Sequence, residues 1–182
     1  MSEIDDGLER ALHTRPIPQS NAARIRFLVK AAKGSTRLVA QELGVSQRTV
    51  QRWLKSAAIT PKPDAAKAIE NAVKAKWQPR VRDRARKAAV ANGFYLNAMG
   101  QFGYRSAAGS TDDPRLRQIT QKLPGSVAAE LFAARDAGAT ESRQLDILAR
   151  GLQESYFKDG GRRASGLSVE FNGLEWASFE ID

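Results

Sequence analysis

Thr36-Arg-Leu-Val-Ala-Gln-Glu-Leu-Gly-Val-Ser-Gln-Arg-Thr-Val-Gln-Arg-Trp-Leu54 is the stretch that decides how the first half of the chain is built. Its apolar residues Val39, Leu43, Val45, Val50 and Trp53 fall where two crossing helices must bury side chains. Ala40 stands where the helices approach most closely and a larger residue would wedge them apart. Gly44 supplies the positive φ that opens the turn. Ser46 is placed to accept from the unpaired N–H groups that begin the second helix. Four independent constraints agree, and together they predict a helix-turn-helix over residues 36–55.

Outward from this unit the spacing stays helical. Ala22, Ile25, Leu28 and Val29 give an apolar face that ends near Gly34. Beyond the break at Thr60-Pro61-Lys62-Pro63, Asp64 caps a helix carrying Ala65, Ala68, Ile69, Ala72 and Val73. Trp77-Gln78-Pro79 kinks or restarts it, because proline restricts the residue before it. Arg80–Asn92 then runs to Gly93. The second half changes character. Phe94–Ser106 is aromatic and glycine-containing and reads as one or two strands. Arg115–Leu123 fits either helix or strand. Ser126–Ala137 and Thr140–Phe157 read as helices, and Asn172-Gly173 between Leu167–Phe171 and Leu174–Ile181 is a hairpin signal. The expected fold is α+β. An acidic tail (1–14) precedes a basic helical domain (15–93), followed by a smaller α+β C-terminal domain (94–182).

Charge follows the same division. The 182 residues carry 29 Lys and Arg against 20 Asp and Glu, a net charge of +9. Residues 15–93 hold 18 bases and four acids, whereas 164–182 hold four acids and no base. A concentrated basic half indicates a nucleic-acid module joined to something else. In a helix-turn-helix the second helix enters the major groove, which offers Gln47, Arg48, Thr49, Gln51 and Arg52 to the bases. Arg24, Arg26, Lys30, Lys33 and Lys55 are the expected phosphate contacts. Arg80, Arg84 and Lys87 share a helical face with Arg82 and Arg86 beside it. That face reads either as a second DNA-contacting surface or as a solvated one.

Composition also excludes. With no Cys, disulfides and thiolate chemistry are ruled out, and with a single His, His13 in the expected tail, neither a Ser–His–Asp triad nor a His-based zinc site is expected. No apolar run has the length of a membrane span, and Met1–Arg10 is acidic where a signal peptide is basic. A cytoplasmic, nucleoid-associated protein with no membrane partner is expected. Trp53, Trp77 and Trp176 read as core aromatics before base-stacking platforms.

Residues 102–117, Phe102-Gly-Tyr-Arg-Ser-Ala-Ala-Gly-Ser-Thr-Asp-Asp-Pro-Arg-Leu-Arg117, gather hydroxyls, two acids and three arginines in one segment. Ser110-Thr-Asp-Asp113 reads in two ways. It is a helix-capping sequence with acids in the first turn, or it is a loop that presents a hydroxyl, with Asp112 and Asp113 able to help hold a metal.

Six motifs occur in order: Arg15-Pro-Ile-Pro18, Gly44-Val-Ser-Gln-Arg-Thr-Val50, Trp77-Gln-Pro79, Phe102-Gly-Tyr104, Thr111-Asp-Asp113 and Gly151-Leu-Gln-Glu-Ser-Tyr-Phe-Lys-Asp-Gly-Gly-Arg-Arg163. In this ordering the chain resembles, over nearly its whole length, the telomere-protecting terminal proteins of streptomycete linear chromosomes and plasmids. The resemblance implies a protein that binds telomeric DNA ends and becomes covalently attached to their 5′ ends. Its hydroxyl accepts a deoxynucleotide and primes end-patching DNA synthesis. The family's priming Thr precedes the Asp-Asp pair and aligns with Thr111 in the candidate loop 104–117, with Ser110 and Tyr104 as neighbouring hydroxyls. No intrinsic cofactor is implied, and the protein is a primer rather than an enzyme. The divalent metal belongs to a separate DNA polymerase, and a telomere-associated DNA-binding protein is a further expected partner. Two other classes fit parts of the sequence. A helix-turn-helix transcription regulator with a dimerising C-terminal domain would bind DNA reversibly. A small recombinase or nicking protein would cleave DNA unaided.

Overall fold

The computed structural model describes residues 2–56, 59–105, 111–157 and 168–182. They form an α+β chain of eight α-helices, one π-helical turn and one three-stranded antiparallel sheet. The chain divides into two compact units: Arg15–Pro79, and Met1–Thr14 together with Arg80–Asp182.

The first unit holds α2 (Asn21–Ala31), α3 (Thr36–Glu42), α4 (Gln47–Lys55) and α5 (Pro63–Lys76). Ile25, Leu28, Val39, Ala40, Val50, Trp53, Ile69 and Val73 form its buried core. Each of α2, α3 and α4 starts at a serine, Ser20, Ser35 and Ser46, whose hydroxyl accepts from a backbone N–H of the first turn. α5 starts instead at Pro63, where the missing N–H costs nothing. The N-terminal lead-in is tied to the end of α5: the Trp77 indole donates to the Arg15 carbonyl at 3.1 Å, and its ring meets Phe27 edge-on at 4.9 Å.

The second unit is built on the sheet, in the order β2-β1-β3. β1 (Phe94–Arg105) pairs on one side with β2 (Thr111–Leu123) and on the other with β3 (Ser168–Glu180). Phe94, Leu96, Ala98 and Phe102 of β1 alternate inward with the strand's two-residue period. They meet Leu131 and Phe132 of α7 (Gly125–Asp136) and Ile147, Leu148 and Leu152 of α8 (Glu141–Leu152) in a single core. A π-helical turn, Gln153–Phe157, follows α8. α6 (Pro79–Asn92) ends at Gly93, whose φ of +82° lets the chain turn into β1. A Cβ on Gly125 would lie 1.9 Å from the Val90 carbonyl, so α7 can start beside the end of α6 only because that residue is glycine.

Several expectations are corrected here. Residues 1–14 are not a tail. α1 (Glu3–Ala11) is capped by Ser2, carries acids in its first turn, and buries Ile4, Leu8 and, just beyond its end, Leu12 in the sheet unit's core. Gly7 brings it against β3, where a Cβ would meet the Ala177 carbonyl at 2.6 Å. Arg10 Nη2 donates to that same carbonyl at 3.2 Å, so α1 covers part of β3. The division between units falls at Pro79 and Arg80, not near Gly93, because Ala89 belongs to the sheet unit's core. The α+β unit is consequently the larger of the two. Thr111–Leu123 is strand throughout, so Thr111-Asp112-Asp113 does not form the first turn of a helix. Asn172-Gly173 makes no hairpin turn. It lies within one strand, whose register against β1 shifts between Met99 and Gly100 and again between Gln101 and Phe102.

Candidate functional site

The sequence places its candidate residues in two locations, and each unit carries one. In the Arg15–Pro79 unit the link from α3 to α4 is made by Leu43–Ser46. Gly44 sits at φ +65°, and the Val45 N–H reaches back to the Ala40 carbonyl at 3.0 Å. Ser46 Oγ accepts from the Thr49 N–H at 3.1 Å and lies 2.8 Å from the Thr49 hydroxyl, which fixes the start of α4. Val50 and Trp53 point into the core. Arg48, Gln51, Arg52 and Lys55 follow one another at three- and four-residue spacing on the opposite side, all exposed. Thr49 is half-buried and occupied by the cap.

Gln47 is committed differently from the expectation. Its Nε2 donates to Thr36 Oγ1 at 2.9 Å, clamping the beginning of α4 to the beginning of α3. Arg24 is structural rather than a phosphate contact. Its Nε donates to the Pro18 carbonyl at 2.8 Å and its Nη1 to Glu70 Oε2 at 3.3 Å. Glu70 also accepts Lys74 at 2.7 Å; that bond, with Arg24 close by, holds its carboxyl below the ordinary range. Arg26, Lys30 and Lys33 remain exposed on or beside α2. Arg37 is a candidate that sequence reasoning missed: it is exposed on α3, next to the Thr36 that anchors Gln47. Counted over this unit, 13 Lys and Arg face three acids, a net charge of +10, while the sheet unit sums to −1. The positive potential of the chain is therefore concentrated in the 65 residues around α4.

α6 belongs to the sheet unit. Two of its five bases hold that unit together. Arg86 makes a two-pronged ion pair with Asp136, at 3.1 and 2.5 Å, and lies over the Phe132 ring at 4.7 Å. Arg82 Nη2 stands 3.7 Å from Glu9 Oε2, which also receives Arg135 Nη2 at 2.5 Å. The half-buried arginines thus neutralise the one acidic side chain that α1 buries, and His13 Nε2 lies 3.6 Å from the same carboxylate. Arg80, Arg84 and Lys87 stand exposed along the outer face, with Lys87 paired to Asp83 at 2.9 Å.

The hydroxyl segment lies at the end of the β1–β2 ladder. Tyr104 pairs with Asp112 and Arg105 with Thr111, so Thr111 is the first residue of β2 and five residues separate the strands. Ser110 lies outside the described residues. For Tyr104, Thr111, Asp112 and Asp113 the backbone alone is described. The expected loop 104–117 is therefore mostly strand, with Pro114 tolerated because β2 is an edge strand. In the Gly151–Arg163 motif, Gly151 and Leu152 are buried at the end of α8. A Cβ on Gly151 would touch Val127 of α7 at 3.0 Å, which accounts for the small residue. Residues 158–163 lie outside the described part.

Among the described residues, no three His, Asp or Glu side chains group as a metal site would require, and no helix is long and apolar enough to cross a membrane. No protein-family model, curated protein or solved structure matches the chain.

Proposed function

We propose that the chain is a DNA-binding terminal protein of linear replicons. It reads duplex DNA through a helix-turn-helix formed by α3 and α4, and it offers the Thr111 hydroxyl as the primer for end-patching synthesis. The observation that carries the reading is the ordered set of motifs from Arg15-Pro-Ile-Pro18 to the Gly151–Arg163 block. The structure supports it by two features. One is the exposed series Arg48, Gln51, Arg52 and Lys55 on a helix whose other side is buried in a unit of net charge +10. The other is the register that puts Thr111 at the end of the β1–β2 ladder, next to the five-residue connection between the two strands.

In that role α4 lies in the major groove. Arg48 and Arg52 supply bidentate donors to guanine or hold phosphate, Gln51 pairs with adenine, and Lys55, Arg37 and the α2 bases neutralise the backbone. The chemistry is a single displacement. Thr111 Oγ attacks the α-phosphorus of a deoxynucleoside triphosphate, a new P–O bond forms, and the bond to the β-phosphate breaks. Pyrophosphate leaves, and the hydroxyl proton passes to a base of the partner polymerase. The polymerase supplies the divalent metals that stabilise the attacking and leaving oxygens, and the 3′-hydroxyl of the attached nucleotide is extended. Arg80, Arg84 and Lys87 form a second backbone-contacting stripe, presented by the unit that carries Thr111. Telomeric ends, a DNA polymerase and a telomere-associated DNA-binding protein are the partners this role requires, in a cytoplasmic, nucleoid-associated setting.

The test is reconstitution with the host's replicative polymerase, telomeric template, Mg²⁺ and an α-labelled deoxynucleotide. The protein becomes radiolabelled only when polymerase and template are both present, and Thr111→Val abolishes the label. Reversible duplex binding with no label under any condition would leave a helix-turn-helix regulator as the better account.

A further inference from the structure

The sheet treats its two outer strands differently. β3 is covered in part by α1, with Gly7 against Ala177 and Arg10 bonded to the Ala177 carbonyl. β2 forms the opposite edge, and among the described residues β1 is its one strand partner. From Arg115 to Leu123 it pairs residue for residue with Phe94–Phe102, with no bulge and no proline. In such a ladder every second residue turns its N–H and C=O away from the neighbouring strand. The run is about 27 Å long, and only Ile119 and Leu123 within it are buried. An open edge of that length is a template for a further strand unless something blunts it.

Side chains alternate along this edge. Pairing with the buried Phe102, Gly100, Ala98 and Phe94 puts Arg115, Arg117, Ile119 and Leu123 on the helix-covered side of the sheet. Leu116, Gln118, Thr120 and Lys122 lie on the other side, where Leu116 is 48% exposed and Lys122 stands over the Tyr95 ring at 5.5 Å. The edge therefore carries three bases, Arg115 and Arg117 on one side and Lys122 on the other. It has no acid from Arg115 to Leu123, and β1 beside it has none. The π-helical turn that packs against β2 brings a single acid, Glu154. We infer that the outer edge of β2, from Arg115 to Leu123, takes an extended acidic segment of a partner protein as a fourth, antiparallel strand.

In strand addition the main-chain hydrogen bonds supply affinity and the side-chain pairs choose the partner. Two acids spaced two residues apart on the added strand meet Arg115 and Arg117 on one side of the sheet. On the other side, an apolar residue between them covers Leu116, and an acid toward the far end meets Lys122. A second copy of this chain is the competing occupant. Its β2 brings three more bases and no acid, and its acidic β3 is already paired with β1 and covered by α1. Nucleic acid answers the bases, yet its phosphates are acceptors only and leave the outward carbonyls without donors. Strand addition here does not depend on chemistry at Thr111. β2 begins at Thr111, so a partner on this edge is held along the strand that carries it.

The test uses the full chain and a short synthetic peptide of β-branched residues, with glutamates set to face Arg115, Arg117 and Lys122. Binding is expected to slow hydrogen exchange at alternate amides between Arg115 and Leu123, read residue by residue by NMR. Replacing the glutamates by glutamine, or Arg115→Glu with Arg117→Glu in the protein, is expected to weaken binding about tenfold. Two further peptides carry N-methyl groups at odd or at even positions and are tested on the unaltered protein. One is expected to lose binding and the other to keep it, because only one set of peptide N–H groups faces β2. Equal binding of both would mean ionic attraction without strand pairing and would overturn the fourth strand. Slow exchange at these amides in a wild-type dimer, undisturbed by the peptide, would assign the edge to a second copy instead. Loss of duplex DNA binding in the charge-reversed variant, with peptide binding intact, would assign the two arginines to DNA and equally overturn the acidic partner.

Discussion

Leu8→Ala tests whether the N-terminal helix is part of the sheet unit's core. Leu8 is 2% exposed and lies between Ile4 and Leu12, both fully buried in the cluster that includes Phe94, Leu148 and Phe179. Removing a buried leucine side chain to the β-carbon costs about 2–5 kcal/mol, the spread reflecting how far the site collapses. Here collapse is restrained, because Gly7 already rests against Ala177 and Arg10 is bonded to its carbonyl. A loss of about 3 kcal/mol is therefore expected. The unit comprises 117 residues. At about 2.1 cal/mol/K per residue its unfolding entropy near the midpoint is roughly 0.25 kcal/mol/K, so the transition should fall by about 12 °C. Differential scanning calorimetry of the full chain measures this shift, while the proposed duplex DNA binding, measured at a temperature where both units are folded, should not change. A shift below about 2 °C, or an unchanged transition after deletion of residues 2–12, would refute the assignment of α1 to that core.

Three further outcomes follow from the same geometry. Arg48→Ala with Arg52→Ala should weaken duplex binding by about 10²-fold or more. The slope of log K against log salt should fall by roughly 0.9 for each of the two residues that holds a phosphate; unchanged affinity and slope would remove α4 from the interface. Arg86→Ala should cost stability in a pH-dependent way. Hydrogen bonding from Arg86 holds the Asp136 carboxyl below its ordinary value of 3.8, so this stabilisation is present above that pH and lost as pH falls through the depressed folded value. The gap between wild type and variant in urea titrations should be widest at about pH 5 and above and narrow toward pH 2; the remainder is the contact with Phe132. A gap that widens on acidification would contradict the ion pair. Thr111→Ser should retain polymerase-dependent labelling at a reduced rate while Thr111→Val loses it, and equal labelling of the two variants would point to another acceptor.

Legibility in the sequence tracked how local the deciding interactions are. The α3–α4 link was readable because Gly44, Ser46, Ala40 and the apolar positions each answer to a contact within about ten residues. Helix α8 was readable from its period, and strand β1 from its aromatic and glycine-containing composition. α1 was missed because its acids dominate a short segment. Its Ile4, Leu8 and Leu12 have helical spacing, but their partners lie more than 70 residues away in the sheet. Distance in sequence also hid the true division between units, since α6 looks like one more basic helix until Arg82 and Arg86 are seen paired with Glu9 and Asp136. β2 was ambiguous because Leu116, Ile119 and Leu123 satisfy helical spacing. Pairing with β1 decides for strand, and it sends Leu116 outward and Ile119 and Leu123 inward. Asn172-Gly173 signalled a turn, yet β1 is long enough to pair with residues on both sides of it, so the chain shifts register there instead. Within the candidate site, the exposed series on α4 was anticipated. The capture of Gln47 by Thr36 and of Arg24 by Glu70 was not, because both bonds join residues that only the tertiary fold brings together.

The central claim is that this chain ends up bonded to DNA through Thr111, and mass spectrometry of the native conjugate tests it most directly. The protein is isolated from its host on DNA and digested exhaustively with nuclease, and the residual nucleotide is localised by fragmentation. A single deoxynucleotide on Thr111, in the peptide spanning residues 106–115, is the predicted result. A DNA-associated fraction with no nucleotide on Thr111, Ser110 or Tyr104 would contradict covalent attachment and leave only reversible recognition by α4.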